Sequence, residues 1–167
     1  MNRKVRFLVN AAVTAAIYVA LTHLQNFLLP GSATWFIQFR IAEALCILAY
    51  FTPAAIPGLA VGCLLFNITY AGALPLDFAV GSIATALSAG GMWLTRNVKI
   101  KGYPLLGMFM PALFNALLVG WELTVYIGGG FWLNAACVAA GELGVLLTLG
   151  TILYYAIKKR HLDNFLR

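Results

Sequence analysis

Six apolar runs, separated by proline- and glycine-rich breaks and almost free of charge, leave this chain few ways to fold. Their approximate limits are 5–29, 40–52, 57–70, 77–96, 104–127 and 131–158. Breaks fall at Pro30-Gly31, at Thr52-Pro53 with Pro57-Gly58, from Gly72 to Pro75, from Lys99 to Pro104, and at Gly128-Gly129-Gly130, where chain-breaking residues are expected. Only 10% of the residues are charged, against about 25% in a soluble domain, and the mean hydropathy is +0.90. The expected fold is all-α: one transmembrane domain over residues 1–167, an integral membrane bundle of six helices, with no room for a catalytic domain outside the bilayer. The first run, Phe7 to about Leu29, exceeds the ~7–15 residues of a signal-peptide core and lacks a clear cleavage motif, so it is read as a retained helix.

The second and third runs are short. A helix of ~13–14 residues rises about 20 Å, less than the ~30 Å of a hydrocarbon core. They are expected to tilt or to extend through their loops, with a re-entrant hairpin as the alternative. Cys46, Cys63 and Cys137 lie in apolar runs at unrelated spacings, without a metal-ligand pattern, and read as packing residues.

Charge fixes the expected orientation. All the lysines and arginines except Arg40 precede the first helix, lie between the fourth and fifth, or follow the sixth. In a six-helix topology these three clusters share one face, which the positive-inside rule makes cytoplasmic, with both termini. The net charge of +6 therefore reports topology and contact with anionic lipid. No basic groove with interleaved aromatics suggests a nucleic acid.

In that frame Arg40 is the exceptional base, on the outer side in the stretch WFIQFRIAEAL. Glu43 follows three residues later, on the same face at helical spacing. Asp77 opens the fourth helix, Glu122 lies near the outer end of the fifth, and Glu142 lies roughly 16 Å into the sixth. Trp35, Gln38, Asn67, Trp121, Tyr126, Trp132 and Asn134 are expected in the same outer layer. Asn115, Glu122 and Tyr126, spaced by seven and four residues, form a polar stripe on the fifth helix. Charged groups inside a membrane protein face a partner, a cavity or a pathway. The plain alternatives are an Arg40–Glu43 ion pair that fixes packing, an Asp77 that only complements its helix dipole, and tryptophans that only form an interfacial belt. Several acids and one base in one layer favour ligand contact, since some carboxylates otherwise stay unpaired.

Ala11, Ala12, Ala15, Ala16 and Ala20 give the first helix overlapping small-xxx-small patterns. Such a face either packs inside the bundle or admits another subunit. Some chemistries are absent. No G-x-x-x-x-G-K-[ST] loop, H-E-x-x-H or G-x-S-x-G motif occurs. The chain therefore carries no nucleotide-driven motor of its own, and a membrane metalloprotease or serine hydrolase is disfavoured; the expectation is a non-enzyme without cofactor or metal.

The stretches IQFRIAEAL, IPGLAVGCLLFN, LDFAVGSIATAL, PALFNALLVGWELT and FWLNAACVAAGEL, in this order over about residues 5 to 158, resemble the queuosine-precursor transporter family, QueT. Members resemble the substrate-binding S components of energy-coupling factor (ECF) vitamin transporters. The resemblance implies a compact six-helix bundle in a bacterial cell membrane. It implies a transmembrane coupling protein and two cytoplasmic ATPases as partners. It also implies a 7-deazaguanine or queuine as substrate, with Ala11, Ala12, Ala15 and Ala16 similar to the docking face of S components. The expected binding residues are Glu122, Arg40 and Glu43 first, then Asn67, Asp77, Asn115, Asn134 and Glu142, with Trp35 and Gln38 as stacking or lid residues. The rival readings are a self-sufficient proton- or cation-coupled carrier that uses the acids as a relay, and an integral-membrane enzyme.

Overall fold

A computed structural model describes residues 2–30, 32, 39–70, 72–162 and 166. Helix α1 (Arg3–Leu28) is followed by a 3₁₀ turn over Ile41–Cys46 that runs into α2 (Ile47–Phe51). Then come α3 (Ala55–Thr69), α4 (Asp77–Thr95), α5 (Leu105–Tyr126) and α6 (Phe131–Val145). The last passes through a π-helical turn at Leu146–Gly150 into α7 (Thr151–Lys159). Taken as continuous rods, Ile41–Phe51 and Phe131–Lys159 bring the number of helices among the described residues to six, the expected all-α membrane bundle. Four of them, Arg3–Leu28, Asp77–Thr95, Leu105–Tyr126 and Phe131–Lys159, are long and apolar enough to cross a bilayer.

The short pair still reaches the far end of the bundle. Thr52 and Pro53, at the turn between α2 and α3, share a cavity lining with Arg3 and Arg6. Tyr50 and Phe51 share another with Arg96, Lys99 and Lys158. Representatives of all three basic clusters thus gather around this turn, which defines a basic end. The 3₁₀ turn helps the second rod to cover the distance, because it rises about 2.0 Å per residue against about 1.5 Å for an α-helix.

Helices α1 and α3 run parallel and cross very closely. A methyl group on Gly58 would stand 2.6 Å from the Ala11 carbonyl oxygen, and one on Gly62 would stand 2.8 Å from Tyr18 Cβ. Only glycines permit this approach, the small-residue packing typical of membrane helices. Ala11 and Ala15, expected on a docking face, therefore belong to an internal crossing. Ala15 is buried and Ala11 half-buried, because their side of α1 is the side that meets Gly58 and Gly62. Ala12, Ala16 and Ala20 lie on the outward side and are exposed.

The apolar core fills the half of the bundle nearer the basic end, with Leu59, Met92, Met108, Ile47 and Tyr154 at its centre. Tyr154 meets Tyr50 and Tyr103 edge-on at 5.4 and 5.7 Å. Its hydroxyl donates to the Gly102 carbonyl at 3.3 Å, while the Tyr103 hydroxyl bonds to that of Thr151. These contacts anchor the α4–α5 connection to the last helix. A smaller apolar contact of Ala84, Val119, Leu123 and Val138 joins α4, α5 and α6. A layer of buried polar groups, among them Thr85, Ser88, Asn115 and Glu142, lies between it and the main core along α4, α5 and α6, and others lie level with it or beyond it.

Candidate functional site

The layer is built from side chains on every long element, beginning with the segment that carries Arg40. Gln25, buried on α1, grips that segment from both sides. Its Oε1 accepts from the Ile41 amide at 2.9 Å, and its Nε2 donates to the Phe39 carbonyl. The same amide nitrogen also donates to Ser32 Oγ at 2.9 Å. Arg40 sits between the two gripped positions and is 2% exposed. The guanidinium faces the side of α4 left open by Gly81, where a methyl group would come within 3.7 Å of Nη1. It stands in the field of Glu43 and Asp77 and of Glu122 and Glu142. Its Nε and Nη1 have no hydrogen-bond partner among the described residues.

Glu43 occupies the 3₁₀ turn, where residues three apart line up on one edge. Cys46 is thereby brought under the carboxylate, and its thiol donates to Oε2 at 3.1 Å. Oε1 accepts from Tyr18 Oη at 2.7 Å and from Thr85 Oγ1 at 3.1 Å. Three donors from three elements therefore hold Glu43, and no contact of hydrogen-bond length joins it to Arg40.

Asp77 and the asparagines divide their duties. Asp77 Oδ2 accepts from the Leu74 amide at 2.7 Å, which closes the turn before α4. Its backbone carbonyl accepts from Asn67 Nδ2 at 2.7 Å, leaving Asn67 Oδ1 without a described partner. Asn134 Nδ2 donates to Thr124 Oγ1 and to the Gly128 carbonyl, both at 3.0 Å, and so closes the α5–α6 turn.

Glu122 and Glu142 differ from all of these. Both are 0% exposed, and none of their four carboxylate oxygens has a partner among the described residues. Glu122 stands beside Asp77 in the field of Arg40. Glu142 stands beside Asn115 and Glu43, one turn before the π-helical turn. Asn115 is 1% exposed with both side-chain atoms unpartnered, and the buried Ser88 Oγ is also unpartnered. A buried acceptor or donor left without a partner costs about 1–3 kcal/mol, and more when charged. Glu122, Glu142, Asn115, Ser88 and Arg40 thus form a set of acceptors and donors suited to a small polar ligand. Acids outnumber bases in the layer, which favours a ligand rich in N–H donors or carrying positive charge. No group of three or more metal-binding side chains occurs among the described residues.

Several expected members are elsewhere. Tyr126, expected on the stripe with Asn115 and Glu122, ends α5 and is 41% exposed. Trp121 and Trp132 are exposed at 49% and 79% and point away from the layer. Trp35 and Gln38 lie outside the described residues. Conversely, Tyr18, Gln25, Thr85 and Ser88 were not singled out by the sequence reading. The available signal was small: polar residues in apolar runs, with Asp77, Gly81, Thr85 and Ser88 at helical spacing along α4.

No curated protein and no solved structure matches the chain. The family model of the QueT transporter does match, over residues 8–159. With nearly its whole length covered, the chain belongs to the QueT transporter family and is a membrane transporter.

Proposed function

We propose that this transporter is the substrate-binding S component of an ECF-type importer. It captures a queuosine precursor, a 7-deazaguanine or queuine, on the side away from the basic end, which faces the outside of a bacterial cell. It delivers the substrate through a transmembrane coupling protein and two cytoplasmic ATPases. The observation that carries the reading is the pair of fully buried carboxylates, Glu122 and Glu142, without a partner among the described residues and in the field of Arg40, whose Nε and Nη1 are likewise unpartnered there. A guanine-like edge offers a ring N–H and an amino group, which one carboxylate accepts as a bidentate, charge-assisted pair. The exocyclic oxygen of the same ring accepts from a guanidinium. A second carboxylate suits an aminomethyl cation on the deazapurine. The chain has no phosphate-binding loop, so the ATPases supply the energy, and the exposed Ala12 and Ala16 offer a small-residue face to the coupling protein.

Calorimetric titration of the purified protein with a panel of 7-deazaguanines, queuine and vitamins tests this reading. Binding confined to the deazaguanine group is expected; binding of a vitamin, or of none of the panel, overturns the substrate assignment. The adjacency of Asp77 and Glu122 favours a second reading, a proton- or cation-coupled carrier that works alone. Uptake into liposomes holding only this chain, driven by an ion gradient, would establish that second reading in place of the first.

A further inference from the structure

A cavity of about 350 Å³ opens at the basic end, lined by Tyr50, Trp93, Arg96, Lys99 and Lys158. It lies between α2, α4 and the end of α7, remote from the polar layer. Each of its three cations lies near an aromatic ring. The Arg96 guanidinium stacks 3.6 Å above Trp93, and its Nη1 donates to the Trp93 carbonyl at 2.7 Å. Lys99 Nζ lies 5.8 Å from the Tyr50 ring, and Lys158 Nζ 4.9 Å from that of Tyr154. None has a carboxylate partner among the described residues. The described acids, Glu43, Asp77, Glu122 and Glu142, all belong to the polar layer. Among the described residues the site is therefore strongly positive, with no carboxylate to offset it.

We propose that this cavity seats the phosphate headgroup of an anionic phospholipid. The shared chemistry is that of a phosphate anion, but the surroundings select a lipid over a free ion. Aromatic rings at the same level as the bases mark the depth where headgroups lie. The helices that carry the bases also present exposed apolar side chains farther into the bilayer, Leu94, Ile152 and Tyr155, at 78%, 66% and 57% exposure. A lipid would place its phosphate among the cations and its acyl chains along these residues. Basic pockets between helices on the cytoplasmic side recognise headgroups in this way.

The test uses the delipidated full chain, titrated with phosphatidylglycerol, phosphatidylcholine or inorganic phosphate and read by native mass spectrometry. One phosphatidylglycerol should bind about tenfold or more tightly than phosphatidylcholine. The double variant Lys99→Gln/Lys158→Gln, at two exposed positions, should lose about tenfold or more of that affinity. A control of equal charge change, Lys4→Gln/Lys159→Gln, should keep it. Equal losses in both variants would mean a diffuse surface attraction and overturn the site. Displacement of the lipid by millimolar inorganic phosphate would overturn the choice of a lipid. A direct Arg96→Gln variant that binds as the wild type does would overturn the role given to the stacked guanidinium.

Discussion

Glu43 and Glu122 are equally buried, but only Glu43 is surrounded by donors. Removing one of its donors leaves a charged acceptor short of a partner, so Tyr18→Phe should lower stability by about 1–3 kcal/mol. Thermal unfolding in detergent measures this, and an unchanged midpoint would show that the Tyr18–Glu43 bond carries little of the fold. Glu122 has no such donors among the described residues. Glu122→Gln nearly keeps the shape, removes the charge and turns one acceptor into a donor facing the donors of the proposed substrate. Loss of a charged hydrogen bond costs roughly 1.5–3 kcal/mol, so affinity should fall at least ~10-fold with the fold intact. Wild-type affinity in a monodisperse Glu122→Gln protein would transfer the guanine-like edge to Glu142. The charged residues of the layer are legible in the sequence because each is an oddity in an apolar run. Which carboxylate is saturated is not legible. Two of the three donors to Glu43 come from 25 residues upstream and 42 residues downstream, and a tyrosine in a first helix looks like any interfacial anchor.

At the scale of elements, hydropathy and proline–glycine breaks locate the six rods to within two residues or so of their ends. For example, 77–96 is expected where Asp77–Thr95 is found, and 131–158 where Phe131–Lys159 is found. The 3₁₀ turn at Ile41–Cys46 and the π-helical turn at Leu146–Gly150 leave no such trace. Apart from Glu43, both are made of apolar, small or hydroxyl residues that wind equally well as α-helix. The orientation of α1 was ambiguous for a related reason. Small residues occur on two sides of it, and only the partner glycines on α3 decide which side turns inward. That pairing yields a contrast. Gly58→Leu should break the α1–α3 crossing, since even its Cβ would stand 2.6 Å from a backbone oxygen. Ala15→Trp should be as damaging, because Ala15 is inside the bundle. Ala16→Trp projects outward and should leave thermal stability and substrate binding near wild type while weakening co-purification with a transmembrane partner. Normal co-purification of Ala16→Trp would remove α1 as the docking face, and normal stability of Gly58→Leu would mean that the crossing relaxes.

Across the whole molecule, charge is sorted by sign along the bundle. Bases line the cavities at one end, and the described acids gather with Arg40 in the buried layer. The sorting was legible because the positive-inside rule reads only loop positions and needs no contacts. It predicts that the basic end faces the cytoplasm and that the proposed site opens to the outside. Cysteine accessibility decides this. Cys46 and Cys63 are buried, so replacing Cys137 with alanine gives a quiet background. Gly130→Cys then places a thiol in the exposed α5–α6 turn, at a φ of −84° that any residue adopts and with nothing within 4 Å of the new Cβ. Asn97→Cys places one at the exposed start of the α4–α5 connection. With a membrane-impermeant maleimide on intact cells, Gly130→Cys should be labelled, and Asn97→Cys only after permeabilisation. The reverse pattern would put the polar layer on the cytoplasmic side, where a capture protein meets no external substrate. An importer would then be the wrong kind of machine, although each contact in the layer stayed as it is.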